Sequence, residues 1–293
     1  MRHFLRDDDL SPAEQAEVLA LAATLKSAPF AHQPLAGPRT VAMIFDKPTL
    51  RTQASFAAGI AELGGYPMLV DGNLAGIGKR ESVADVARVL GRQATAIVWR
   101  TFEQSRIDEM AEHAGVPVVN ALTDEFHPCQ LLADLLTVQE HKSRLSGLKV
   151  AFLGDAACNM GNSWALAGAI AGMQVTFGCP EGSAPAHGAA EVTDDPVAAV
   201  TGADVVVTDT WVSMGKEDEA EARRATFAPY SVTSELMTHA APDAIVMHCL
   251  PAYRGSEIAA EVIDGPQSVV WDEAENRRHA QKAILAWLEA KRS

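Results

Sequence analysis

The sequence predicts an α/β fold of two domains, each built on a parallel sheet, with two helices joining them. Three observations carry this expectation. Short apolar runs alternate with segments of helical periodicity along the whole chain, which is the pattern of βαβ units. Polar clusters fall directly after those runs, where an open parallel sheet places its ligands. The length, 293 residues, lies where single cores stop growing, at ~250–300 residues, and chains divide into domains.

The elements follow in order. Ser11-Pro12-Ala13-Glu14 offers an N-cap hydroxyl, a proline at the first helical position and a glutamate at the third, opening an Ala/Leu-rich helix to about Ser27. Gly37-Pro38 ends a polar connector, and Val41 to Phe45 is the first strand. The turn Asp46-Lys47-Pro48-Thr49-Leu50-Arg51-Thr52 then leads into a helix that stops at Gly64-Gly65. Next come a strand at Met68 to Val70, a loop through Gly72, Gly76 and Gly78, a helix from Ser82 to about Leu90, and a strand from Ala96 to Trp99. A helix around Ile107 to Ala114 precedes Val116 to Val119, whose internal Pro117 predicts an edge strand.

Leu131, Leu132, Leu135, Leu136 and Val138 recur at helical spacing from Pro128 to His141, and this helix bridges to the second domain. A second series of strands follows at Val150 to Leu153, Val175 to Phe177, Val205 to Val207 and Ile245 to Met247, with Val269-Val270 last. Pro180 to Ala190 reads as a loop, Gly215 to Arg224 as a charged surface flap, and Glu273 to about Lys291 as a long helix packing back toward the first domain.

Composition narrows the function classes. Hydrophobic residues at 48% with 21% charged are those of a globular protein, and no run approaches the ~18 apolar residues of a membrane span. The opening Met1 to Asp9 is too acidic for a signal peptide, so a cytoplasmic location is expected. A net charge of −14 argues against nucleic acid or an anionic membrane as partner, although a few arginines in one cleft can still hold a small anion. Cys129, Cys158, Cys179 and Cys249 form no C-x-x-C pair, so reduced thiols are expected, with neither disulfides nor a zinc site.

Taken alone, the turn from Asp46 to Thr52 fits two descriptions equally: an anion cradle at a helix N-terminus, or a plain βα loop with a capping threonine. Further clusters shift the balance: Arg100-Thr101, His127-Pro128-Cys129-Gln130, Asp155 to Asn162, Asp209-Thr210-Trp211-Val212-Ser213-Met214-Gly215, His248-Cys249-Leu250-Pro251, and Glu273 to Arg277. Gly154 to Gly161 lacks the G-x-G-x-x-G spacing and a ribose-binding acid, which demotes a dehydrogenase.

In this order, over nearly the whole chain, these clusters resemble those of the ornithine carbamoyltransferases, within the aspartate/ornithine carbamoyltransferase family. The most specific are H-P-C-Q at His127 to Gln130, D-x-W-x-S-M-G at Asp209 to Gly215, H-C-L-P at His248 to Pro251, and Asp272 to Arg277. The resemblance implies two Rossmann-like domains: residues 1–127 binding carbamoyl phosphate, a bridging helix at 128–145, an ornithine-binding domain at 146–272, and a C-terminal helix at 273–293. It implies transfer of a carbamoyl group to the side-chain amine of ornithine, giving citrulline and phosphate in arginine biosynthesis. A relative acting on another amine, or a non-catalytic binding relative, remains open at this stage. A homotrimer, or a multiple of it, is implied as well, and no cofactor or metal.

The roles carried over are these. Thr49, Leu50, Arg51 and Thr52, with backbone N–H groups of their turn, grip the phosphate. Arg100 bridges phosphate and carbonyl oxygen, His127 and Arg277 donate to that oxygen, and Gln130 reads the carbamoyl amide. Asp209 pairs with the α-ammonium and Asn159 with the α-carboxylate, while Ser213 and Met214 complete the clamp. Cys249 and the carbonyl of Leu250 lie beside the side-chain amine, the thiol orienting it without forming an acyl-enzyme. Because that amine must lose a proton before attack, activity should rise toward alkaline pH.

The chain also departs from the family pattern. Thr49-Leu50-Arg51-Thr52-Gln53 stands where Ser-Thr-Arg-Thr-Arg is usual, which removes one hydroxyl and one positive charge. Gly76 replaces a residue that reaches a neighbouring subunit, Cys158 the first of two asparagines, and Tyr253 a histidine.

Overall fold

The computed structural model describes residues 1–212 and 220–292. The chain divides into two compact units, Met1–Leu136 with Glu275–Ser293, and Thr137–Ala274. The first holds α1 (Pro12–Ser27), β1 (Thr40–Phe45), α2 (Arg51–Glu62), β2 (Tyr66–Asp71), α3 (Gly72–Ala75), α4 (Val83–Leu90), β3 (Ala96–Arg100), α5 (Gln104–Ala114), β4 (Val118–Leu122) and the start of α6 (Pro128–Lys142). The second takes the rest of α6, then β5 (Lys149–Leu153), α7 (Asn159–Ile170), β6 (Gln174–Gly178), β7 (Glu191–Thr193), α8 (Pro196–Val200), β8 (Val205–Thr208), α9 (Ala220–Phe227), α10 (Ser234–Met237), β9 (Ile245–His248) and α11 (Ala260–Ile263). The final helix α12 (Val270–Ala290) begins in the second unit and ends in the first.

The sheet of the first unit has the parallel order β2-β1-β3-β4, and that of the second β7-β6-β5-β8-β9. Burial explains the strand sequences. β1 and β3 are inner strands covered on both faces, so they read as near-continuous apolar runs, and β5, β8 and β9 do likewise. The outer strand β2 instead exposes Tyr66 and Leu69. In the first core, Ala42, Ile44, Ile97 and Trp99 of the sheet pack with Ile107 and Met110 of α5. In the second, Ala151, Leu153, Val206 and Val246 pack with Val200, Val262 and Ile263.

Both topologies contain a switch point. From β1 the chain goes to β2 on one side and returns to β3 on the other; from β5 it goes to β6 and β7 on one side and returns to β8 on the other. Connections leave in opposite directions there, and a crevice opens beyond the carboxyl ends of the two strands. Those ends carry the turn after Phe45 and Arg100 in the first unit, and the turn after Leu153 and Asp209 in the second.

The helix signals at the start of the chain are realised as a reciprocal capping box. Ser11 Oγ accepts from Glu14 N at 3.3 Å, and Glu14 Oε2 accepts from Ser11 N at 2.9 Å. Pro117 lies just before β4, and β4 is indeed an outer strand. Its far side is met by one parallel bridge from Phe4 to Val119.

One expectation is corrected, and one strand is added. Val269-Val270 is not a strand: Val269 N donates to Val246 O at 3.0 Å, but Val270 already opens α12, since two apolar residues are too few for a ladder. Glu191–Thr193 forms the short outer strand β7, which its charged surroundings concealed. Of the segment expected as a charged surface flap, residues 215–219 lie outside the described residues and Ala220 to Arg224 belong to the helix α9.

Candidate active site

Those expected site residues that are described gather at the carboxyl ends of the two sheets, and each unit presents one group of them. In the first unit, α2 begins immediately at Arg51. Its N-cap is Leu50, whose side chain makes no capping bond, so the N–H groups of the first turn carry no side-chain cap. The alternative of a βα loop capped by a threonine is therefore set aside: Thr49 is half-buried in the turn without capping the helix, and Leu50 is 78% exposed.

Thr52, one position into the helix, is buried and accepts hydrogen bonds at Oγ1 from two guanidinium groups. Arg100 Nη1, at the end of β3, lies at 3.3 Å and Arg277 Nη2, from α12, at 2.9 Å. Both arginines are buried, which concentrates positive charge in a region of low dielectric. Lys47 is held beside them by an ion pair with Asp124 and by the ring of Phe102, 4.6 Å from its Nζ. Arg51 is half-buried at the first position of α2.

His127 precedes α6, and its carbonyl accepts from Gln130 N at 3.0 Å and Leu131 N at 3.3 Å. The ring is buried, and burial, followed by the charges of Arg277, Arg100, Arg51 and Lys47, holds its pKa well below the ordinary histidine value. His127 is thus a neutral imidazole among cations. Gln130 is fully buried, and its Nε2 donates to Asp134 Oδ1 at 2.8 Å, which sets the orientation of the amide. An N-terminal helix turn, several guanidinium groups and a neutral donor ring are together the chemistry that suits a small, multiply charged anion.

In the second unit, Asp209 follows β8 and is half-buried. Oδ1 accepts from Thr210 N at 2.7 Å and from Cys249 Sγ at 3.2 Å. Burial raises its carboxyl above the usual range, against the lowering effects of His248 and the Cys249 hydrogen bond. Cys249 follows β9, so strand pairing between β8 and β9 brings thiol and carboxylate together.

Leu250 has φ 56, a left-handed conformation that is strained for a branched residue. His248 supports it: Leu250 N donates to Nδ1 at 2.8 Å, which leaves the ring proton on Nε2, facing Glu257 Oε1 at 3.3 Å. Asn159 opens α7 as a half-buried first residue, beside Cys158, whose Sγ accepts weakly from Gly161 N at 3.5 Å. Trp211 is core: it is 3% exposed, packs on Phe227, and a Cβ on Gly154 would lie 2.7 Å from its Nε1. Ser213 and Met214 lie outside the described residues.

Asp209, His248 and Cys249 also offer donor atoms within 4.8 Å of one another. Both ring nitrogens of His248 already face Leu250 N–H and Glu257, so metal ligation would break the contact that supports Leu250. Glu257 and Glu273, whose Oε2 accepts from His248 N at 2.9 Å, have no counterpart among the expected site residues. Glu257 stands outside any motif and Glu273 inside the Asp272 to Arg277 cluster, and the fold brings both to β9.

Each unit by itself thus has a definite character. The first is an α/β unit that gathers guanidinium groups and a neutral imidazole at a helix N-terminus, and the second an α/β unit that sets a carboxylate against a thiol beside a residue of left-handed backbone. Residues 2–140 match the family described as "Aspartate/ornithine carbamoyltransferase, carbamoyl-P binding domain", and residues 146–288 its "Asp/Orn binding domain". The chain belongs to the aspartate/ornithine carbamoyltransferase family.

Among its relatives is the ornithine carbamoyltransferase of Clavibacter sepedonicus, 58% identical over 301 residues that cover 98% of each chain. That of Rhodococcus opacus is 55% identical, covering 100% of this chain and 98% of the relative. The solved ornithine carbamoyltransferase from Pyrococcus furiosus is 41% identical with a TM-score of 0.94, covering 99% of this chain and 97% of that one.

Proposed function

We propose that this chain transfers the carbamoyl group of carbamoyl phosphate to the side-chain amine of ornithine, giving citrulline and phosphate. The observation that carries the proposal is the convergence of Arg100 and Arg277 on Thr52 at the uncapped start of α2, in a chain of this family.

Arg51, Thr52 and the first-turn N–H groups of α2 hold the phosphate, with Thr49 and Leu50 shaping the turn. Arg100 reaches both phosphate and carbonyl oxygen. As the amine nitrogen attacks the carbamoyl carbon, negative charge builds on that oxygen, and Arg100, Arg277 and His127 donate to it; each donor of this kind is worth ~10²–10³ in rate. A neutral His127 can donate without adding another repelling cation to the cluster. The carbonyl oxygen of Gln130 accepts from the carbamoyl NH₂. The C–O bond to phosphate then breaks, phosphate leaves with the electron pair, and it takes the proton that the attacking nitrogen sheds.

Asp209 receives the α-ammonium of ornithine and Asn159 its α-carboxylate, with Ser213 and Met214 completing the clamp. Cys249 and the Leu250 carbonyl orient the side-chain amine. The thiol hydrogen is engaged with Asp209, which suits orientation and not attack.

The same proposal places the protein in the cytoplasm, in arginine biosynthesis, as a homotrimer or a multiple of it. No helix among the described residues is long and apolar enough to cross a membrane. Association is supported by Tyr66, Leu69 and Leu74, which are 57%, 55% and 84% exposed along the outer strand β2 and the helix after it, an apolar stretch suited to a second copy of the chain.

Purified protein incubated with carbamoyl phosphate and, separately, ornithine, lysine, putrescine and N-acetylornithine should form ureido product with ornithine. Product with none of them overturns the proposal, and product from N-acetylornithine alone reassigns the amine. Arg51→Ala should abolish turnover with the fold intact, and light scattering should return three times the chain mass.

A further inference from the structure

Beneath the anion-binding end of the first sheet lies a second set of buried polar contacts, centred on a residue to which no ligand role has been given. Asp46 is the first residue after β1 and opens the phosphate turn. It is 6% exposed. Oδ2 accepts three hydrogen bonds: from Thr101 Oγ1 at 2.6 Å, Trp99 Nε1 at 3.1 Å and Arg106 Nη1 at 3.1 Å. Its backbone is equally engaged, with N donating to Arg100 O at 2.9 Å and O accepting from Asn73 Nδ2 at 2.9 Å. Arg106 completes the set by donating to Thr101 Oγ1 at 2.9 Å and Ile77 O at 2.8 Å.

Two of the three donors flank Arg100 in sequence. Trp99 and Thr101 converge on Asp46, whereas Arg100 between them donates to Thr52 Oγ1. Asp46 therefore holds the end of β3 through the residues on both sides of Arg100. Fixed at the head of the turn, it also sets where Lys47 to Thr52 begin.

A carboxylate is the side chain that can do this, because it is an acceptor at every lone pair and its charge matches Arg106. Its other oxygen, Oδ1, has no hydrogen-bond partner among the described residues and packs against Gly72. The group is thus oriented by sterics on one side and by three donors on the other.

We propose that Asp46 is a positioning residue for the carbamoyl phosphate site: its carboxylate fixes Arg100 against the phosphate turn without touching the ligand. The proposal rests on the reaction proposed above. A merely structural ion pair would affect stability, and with it both substrates alike. A positioning residue selectively weakens the phosphate grip.

The test uses Asp46→Asn and, as a second variant that leaves the carboxylate in place, Thr101→Val. Inorganic phosphate binding is measured by calorimetry, the two KM values by ureido assay, and Tm by circular dichroism. In Asp46→Asn the phosphate Kd and the carbamoyl phosphate KM should each rise about tenfold, with ornithine KM moving less than about twofold; Thr101→Val should shift the same two constants about threefold.

An unchanged phosphate Kd in either folded variant overturns the proposal, as does a parallel rise of both KM values together with a loss of Tm. If Asp46→Asn fails to fold, Thr101→Val decides by the same criteria. Wild-type protein that binds phosphate but forms no ureido product overturns the reaction and leaves the role of Asp46 to be decided by the phosphate constants alone.

Discussion

Cys249 Sγ donates to Asp209 Oδ1 across 3.2 Å, a contact made by neighbouring strand ends and not by neighbours in sequence. It stabilises the ionised carboxylate, whose pKa burial raises. The sign follows: a raised pKa means that Asp209 takes up its proton at a higher pH than an ordinary carboxylate, so ornithine capture fails earlier as pH falls. Cys249→Ala removes the stabilising bond and should move the acid limb of kcat/KM for ornithine to higher pH. It should also raise ornithine KM about tenfold, with the carbamoyl phosphate KM little changed. The pH profile of the variant beside that of the wild type measures this directly, and Asp209→Asn should erase the limb.

His127 should add no limb of its own near the ordinary histidine pKa of ~6.5, because burial and the surrounding cations keep it neutral well below that value. The same shift makes a stability prediction. Below ~6.5 the unfolded chain protonates this histidine and the folded chain does not, so folding loses up to about 1.4 kcal/mol per pH unit from this residue. Chemical denaturation of wild type and His127→Gln between about pH 7 and 5 should show the smaller dependence in the variant, which cannot take up the proton. Its kcat should fall ~10²–10³-fold with the loss of a donor to the developing charge.

Thr52 is the meeting point of Arg100 and Arg277, and Thr52→Val keeps its shape while deleting the shared acceptor. The two guanidinium groups would then face each other without the hydroxyl between them. Turnover should drop by about 10²-fold with the carbamoyl phosphate KM raised, while circular dichroism stays that of the wild type. Arg51→Ala acts on the phosphate alone, so comparing the two variants by inorganic phosphate affinity separates grip from transition-state stabilisation.

Much of this was legible in sequence because the signals are local. Alternating apolar runs announced both sheets, the Ser11 to Glu14 box announced α1, and motif residues marked both strand-end crevices. Asp46 was visible only as the first letter of the turn, since Trp99, Thr101 and Arg106 lie 53, 55 and 60 positions away and become its partners only when β1 and β3 pair. Glu257 is hidden in the same way, as a carboxylate nine positions beyond the histidine it faces. Val269-Val270 misled because a two-residue apolar run carries no period: Val269 N donates one hydrogen bond to Val246 O, and Val270 opens α12.

Gly72 offers the sharpest steric test of the first unit. An added Cβ would fall 1.8 Å from Asp46 Oδ1, just after β1, and 3.2 Å from Ile44 Cγ2, near its buried end. Neither neighbour is the far end of a flexible chain, because Asp46 is held by three donors and Ile44 sits in the core. Gly72→Ala should therefore push the carboxylate off Thr101, Trp99 and Arg106 and not be absorbed locally. Overpacking of this kind costs about 1–3 kcal/mol, which a thermal melt would register as a lowered Tm. Inorganic phosphate binding should weaken in step, because the displaced group is the one that holds Arg100 to the turn. A Gly72→Ala protein with wild-type Tm and wild-type phosphate affinity would mean that Asp46 has room to move, against the packing seen here.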